Sequence, residues 1–170
     1  RSYRAIVDGK FIPDQLYRLF ELGKFNRVPV MLGYNAEEGT TLGALRMMPK
    51  NVHDYESSLQ RRFGREVKEV LRLYPSDDIR KSVLALSSDA GFGWNMHYWA
   101  EKSVLHGAAT FMYYFTHQPL GRELGAFHAA EIVYVFNNAS HTSGFDSEPS
   151  VQLANAMADY WVRFATVGNP

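Results

Sequence analysis

The chain predicts an α/β fold: mostly parallel sheet strands with a helical excursion between them and a terminal helix. Three observations carry this. Two short apolar runs, residues 28–34 and 109–115, are bounded by polar segments and are too short for buried helices. Residues 53–107 between them carry apolar positions at spacings of three and four. Residues 150–167 repeat that helical spacing and stop at Gly168.

The composition narrows the function. At 170 residues, the chain is long enough for one domain with a substantial core. Its hydrophobic content, 46%, is that of a globular protein. Lys and Arg number 18 and Asp and Glu number 18, so the net charge is zero, which weighs against nucleic acid as a partner. The basic cluster Arg61, Arg62, Arg65 and Lys68 reads as the solvated side of a helix. Without cysteine the chain holds no disulfide, thiol nucleophile or thiolate metal site, and its compartment, secreted or cytoplasmic, stays open. No apolar run is long enough for a membrane span. There is no internal repeat. The ends, Arg1-Ser2-Tyr3 and Gly168-Asn169-Pro170, read as cuts in a longer polypeptide.

In chain order, Asp8-Gly9 is a turn signal and Pro13 stops any element before residue 16. Leu16, Leu19, Phe20 and Leu22 predict a short amphipathic helix ended by Gly23. The run Val28 to Tyr34 predicts a fully buried strand. The polar loop Asn35 to Thr41 follows it, at the strand end where open α/β sheets place their chemistry. Glu37 and Glu38 are adjacent, so one should face inward and the other outward; a solvated loop with a helix N-terminal acid is the plain alternative.

The stripe Tyr55, Leu59, Phe63, Val67, Val70, Leu71 and Leu73 predicts a helix broken by Pro75. Ser76-Asp77-Asp78 should cap a second helix built on Ile79, Val83, Leu84 and Leu86. Ser88 to Gly93 marks a joint, and a third helix runs through Trp94, His97, Tyr98, Ala100, Val104 and Ala108. His97 and His106 have no acidic partner at metal-ligand spacing and read as structural or exposed.

The second strand, Ala109 to Phe115, leads through the connector Gln118 to Leu124, with Pro119 and Gly121, to the stretch Gly125 to Phe136. His128 in that stretch stands where an α/β enzyme would hold a general base, although a lone histidine at a helix start is more readily read as structural. Residues 137–150 read as loop, with His141 exposed and Asn138-Ala139-Ser140 matching the glycosylation triplet, which arises often by chance. The terminal helix should bury Val151, Leu153, Ala154, Met157, Tyr160, Trp161 and Phe164.

Acid loop before histidine loop, each after a strand, is the second half of the α/β-hydrolase triad order. The chemistry needs this division. A serine hydroxyl is a poor nucleophile until an imidazole takes its proton, and a carboxylate on the other ring nitrogen fixes the tautomer and stabilises the imidazolium.

These residues resemble the C-terminal part of the type-B carboxylesterase and cholinesterase family. Val28 to Gly39 is similar to the family's acid segment, an apolar strand followed by Asn, two variable positions, Glu and Gly. Gly125 to Glu131 is similar to its Gly-x-x-His-x-x-Glu. Val7-Asp8-Gly9, Tyr113-Tyr114-Phe115 and Tyr160 to Pro170 match further segments in order.

The resemblance implies that residues 1–170 are the C-terminal part of a single carboxylesterase-like catalytic domain. It places the triad acid at Glu38 and the triad histidine at His128. Hydrolysis of a small-molecule carboxylic ester would need no metal or organic cofactor. Glu131 is expected on the same side of a short helix beginning at His128, either bracing the loop or forming a plain salt bridge.

Two departures stand out. No Gly-x-Ser-x-Gly occurs, and Ser143-Gly144 lies in a loop without a nucleophile elbow; the serine and the oxyanion glycines belong to the family's N-terminal portion. Asp89 to Trp94 follows the family's Asp-x-x-Phe but lacks its usual proline. The fragment alone is therefore expected to be inactive and to need its other half. A non-catalytic esterase-like recognition or adhesion domain is the rival reading. A binding domain complete in itself ranks last, because half an open sheet leaves an apolar edge exposed.

Overall fold

A computed structural model describes residues 6–120 and 123–170. Gly121 in the connector and Arg1-Ser2-Tyr3 lie outside the described residues. The first element is helix α1 (Leu16–Glu21), followed by Gly23 in a left-handed conformation. Strand β1 spans Val30–Asn35. It starts two residues later than the apolar run, because Pro29 has no N–H to give to a ladder.

The excursion holds α2 (Val52–Phe63), α3 (Val67–Leu73), α4 (Ile79–Ser88) and α5 (Trp94–Leu105). Gly64 adopts φ +54° and splits the stripe expected as one helix into α2 and α3. Among the three candidate caps before α4, Asp78 does the capping: its carboxylate accepts the Lys81 N–H at 3.0 Å. The expected joint at Ser88 to Gly93 is no break. A π-helical turn, Asp89–Gly93, carries α4 straight into α5. Wide turns of this kind often lie at functional sites.

Strand β2 (Thr110–Phe115) pairs parallel to β1, in register from Val30 opposite Thr110 to Asn35 opposite Phe115. Then follow α6 (Ile132–Val135) and α7 (Glu148–Val167), the latter closed by Gly168 at φ +74°. Alternation along the strands sets three layers. Phe111 and Tyr113 meet Phe164 and Trp161 of α7 on one face. Tyr34 meets His97 of α5 on the other.

The core nearest the carboxyl ends of the strands is Phe115, Ala126, Ala130, Tyr134, Ala139, Phe145 and Ala154. Small alanines surround the fully buried Tyr134 ring, so the loop, α6 and α7 approach closely. Two burial expectations change. Val30, Met31, Gly33 and Tyr34 are only half-buried, because each strand has one hydrogen-bonded neighbour among the described residues and keeps an open edge. Tyr160 is 54% exposed. At 100° per residue it lies at the rim of the stripe centred on Ala154 and Trp161.

Candidate active site

β1 ends at the buried Asn35, and the chain turns at once through a 3-10 turn, Glu38–Thr40. That turn brings Glu38 under the sheet edge, leaving its side chain 6% exposed. Its two oxygens are both engaged. Oε1 accepts the Asn35 N–H at 2.9 Å, and Oε2 lies 2.6 Å from Nδ1 of His128. An ionised carboxylate can only accept, so Nδ1 carries the proton and Nε2 of the neutral ring is the acceptor. The His128 side chain is 44% exposed, so the ring is anchored on one side and open on the other. Phe92, on the π-helical turn, lies with its ring centroid 5.4 Å from the imidazole.

The loop before His128 is gripped by β1 and its turn. Glu37 N–H donates to Ala126 O at 3.0 Å, and Ala126 N–H donates to Glu37 Oε2 at 2.7 Å. Asn35 Nδ2 donates to Phe127 O at 2.8 Å and to Glu131 Oε2 at 2.5 Å. The helix expected to begin at His128 begins instead at Ile132, because Ala129 is left-handed at φ +70°. Glu131 therefore reaches Asn35 rather than stacking beside His128. Burial, then the charges of Glu131 and Glu38, push the Tyr113 phenol up to about 12, so it stays neutral behind the site.

The structure thus brings Glu38, His128 and, through Asn35, Glu131 into one network. Glu37 binds the Ala126 N–H and is no idle solvated acid. Asn35, Glu37 and Phe92 are not marked as site residues by the sequence, since spacing says nothing about which side chains meet across such long separations along the chain. Among the described residues, Asn35 Oδ1 and Thr40 Oγ1 are buried beside the acid without a hydrogen-bond partner. Ser143 lies in an exposed turn before α7. A serine–histidine pair lies elsewhere, His117 Nε2 and Ser150 Oγ at 2.9 Å, but Ser150 is wholly buried.

His97 and His141 are exposed, and His106 Nε2 lies 3.2 Å from Glu21 O. Among the described residues, no group of three His, Cys, Asp or Glu is gathered for a metal ion, and no helix is long and apolar enough to cross a membrane.

Residues 2–170 match the family model described as the carboxylesterase family. The chain is 30% identical over 181 residues to the fumonisin B1 esterase of Sphingopyxis macrogoltabida, covering all of this chain and 33% of that protein. It is 26% identical to human carboxylesterase 5A, with 34% of that protein covered, and 29% identical to mouse neuroligin-3, with 24% covered. Among solved structures, a carboxylesterase of Geobacillus stearothermophilus superposes with TM-score 0.78 at 23% identity, over 99% of this chain and 37% of that one. The chain spans about a third of the length of the esterases it matches. Its architecture is that of part of an α/β-hydrolase.

Proposed function

The chain belongs to the carboxylesterase family, and we propose that it is the C-terminal part of one catalytic domain that hydrolyses carboxylic esters with a Ser-His-Glu triad. One observation carries the reading: Glu38 Oε2 lies 2.6 Å from His128 Nδ1 while the far side of the ring stays open. Nε2 would take the proton of a serine supplied by the N-terminal portion as the hydroxyl oxygen attacks the ester carbonyl carbon. The imidazolium, held by Glu38, would return that proton to the leaving alkoxide. Water, deprotonated by the same Nε2, would then attack the acyl carbon; the bond to the serine oxygen would break, and Nε2 would return the proton to that oxygen, releasing the carboxylic acid and restoring the serine.

The surface supports the reading that a further portion covers this one. The chain exposes 11515 Å². A compact monomer of 19.4 kDa exposes about 8,500 Å². Val28, Met112 and Tyr114, on or beside the strands, are among the exposed apolar side chains.

Treatment with a serine-directed fluorophosphonate, read by intact mass, tests the assignment on this chain and on the full-length protein. The expected result is one adduct on the full-length protein and none on the chain. An adduct on the chain would assign the nucleophile to one of its own serines. No adduct on either would favour the second reading, a non-catalytic recognition or adhesion domain, which has the likeness to neuroligin-3 on its side.

A further inference from the structure

Glu37 is the acid that the triad leaves over, and its surroundings are too specific for a bystander. Its backbone N–H and its carboxylate bind the two sides of one residue, Ala126, two positions before His128. Glu37 and Phe127 form an isolated parallel bridge, so the loop is laid along the acid turn like a further short strand. The approach is close enough to require glycine next door. Gly125 sits at φ +64°, and a Cβ there would lie 2.8 Å from Glu37 Cδ. Asn35 holds the following carbonyl, that of Phe127. Three successive peptides before His128, 125–126, 126–127 and 127–128, are thereby anchored to the end of β1 and the turn that carries Glu38.

We propose that Glu37 is a positioning residue for the esterase reaction: it clamps the Gly125–Phe127 backbone so that His128 stands at hydrogen-bonding distance from Glu38 before substrate arrives. The proposal rests on the esterase reading above. The role is that of a hydrogen-bond acceptor at fixed reach, not of a charge. A glutamine keeps an acceptor oxygen at the same reach, and an alanine does not. The imidazole must meet the serine and the carboxylate together, and displacement by about an ångström can cost roughly a hundredfold in rate.

The test is steady-state hydrolysis of a p-nitrophenyl ester by the full-length enzyme, with thermal melts to check folding. Glu37→Ala should lower kcat roughly 10- to 100-fold with little change in KM. Glu37→Gln should return kcat to within about threefold of wild type, at the scale of one neutral acceptor replacing a charged one. Gly125→Ala, which drives a methyl into the Glu37 carboxylate, should lower kcat as Glu37→Ala does. An unchanged kcat in Glu37→Ala overturns the proposal, as does a loss in KM alone. Equal losses in the Ala and Gln variants overturn it too, because charge would then be the cause. If Glu37→Ala fails to fold, the Gln and Gly125 variants decide alone: full kcat in Gly125→Ala overturns the clamp, and so does a large loss in Glu37→Gln. His128→Ala in the same assay separates the two levels. Full turnover there, or none by wild type, overturns the esterase reading and the clamp with it; lost turnover there with intact Glu37→Ala overturns the clamp only.

Discussion

Glu38 and His128 stand 90 positions apart in sequence and 2.6 Å apart in space, carboxylate oxygen to Nδ1. β1 delivers the acid directly at its carboxyl end, whereas β2 delivers the histidine only after a connector and a loop that β1 itself must hold. The site is therefore as accurate as the joint between the acid turn and that loop.

Replacing the carboxylate by an amide keeps the size of Glu38 and removes its charge. The Nδ1–H partner then becomes ambiguous, and the imidazolium loses its counter-charge. On the proposed ester-hydrolase reading, Glu38→Gln in the full-length protein is expected to lower kcat about 10⁴-fold, the scale of neutralising a triad acid. Less than a tenfold loss in a steady-state ester assay would take the orienting role from Glu38.

Gly33 in β1 faces Tyr113 in β2 across the parallel pair, and a Cβ there would overlap the phenol ring. The ring fills the space that a side chain would need, under Trp161 of α7. Gly33→Ala should lower the thermal midpoint of the full-length protein. Combined with Tyr113→Ala, the loss should be smaller than the sum of the two, because the overlap is gone. Additive losses would mean that the ring and the glycine do not share one space.

Burial lowers the affinity of His117 for a proton, and its Nε2 lies 2.9 Å from the buried Ser150 hydroxyl. The unfolded imidazole titrates near 6.5. Below that pH, and down to the lowered folded value, the unfolded chain binds more protons, so stability rises with pH. This contribution is complete above about pH 6.5 and fades as pH falls through the window beneath it. The thermal midpoint should drop further between pH 7.5 and 5.5 in wild type than in His117→Gln; equal drops would remove His117 from the account.

Ala154 is wholly buried in the cluster around Tyr134. A leucine there must push α7 from the loop that carries His128. Ala154→Leu is expected to cost about 1–3 kcal/mol, the usual penalty of overpacking. It should lower the thermal midpoint and reduce kcat together; an unchanged melt would show that α7 can retreat freely.

Much of the fold was legible. The stripes of α2 to α5 and α7, the two short apolar runs and Gly168 as a stop all read directly from periodicity and from the conformational needs of proline and glycine. What misread were local choices with a tertiary cause. Ser88 to Gly93 looked like a break because glycines flank Phe92, yet the helix continues through a π turn that sets Phe92 against His128. Glu131 looked like a neighbour of His128 on a helix, yet a left-handed Ala129, rare for a residue with a side chain, turns the chain between them.

The sequence alone determined the class of fold, the order of acid and histidine, and their placement after strands, because periodicity, chain stiffness and residue chemistry are local properties. It named Glu38 and His128 through motifs. Only the tertiary structure decided what each neighbouring polar group does: that Asn35 ties the loop to Glu131, and that Glu37 holds Ala126 in place of facing water. The physical reason is reach. A hydrogen bond needs atoms within about 3 Å, and which atoms come that close across two strands and a long excursion is set by packing that no local pattern records.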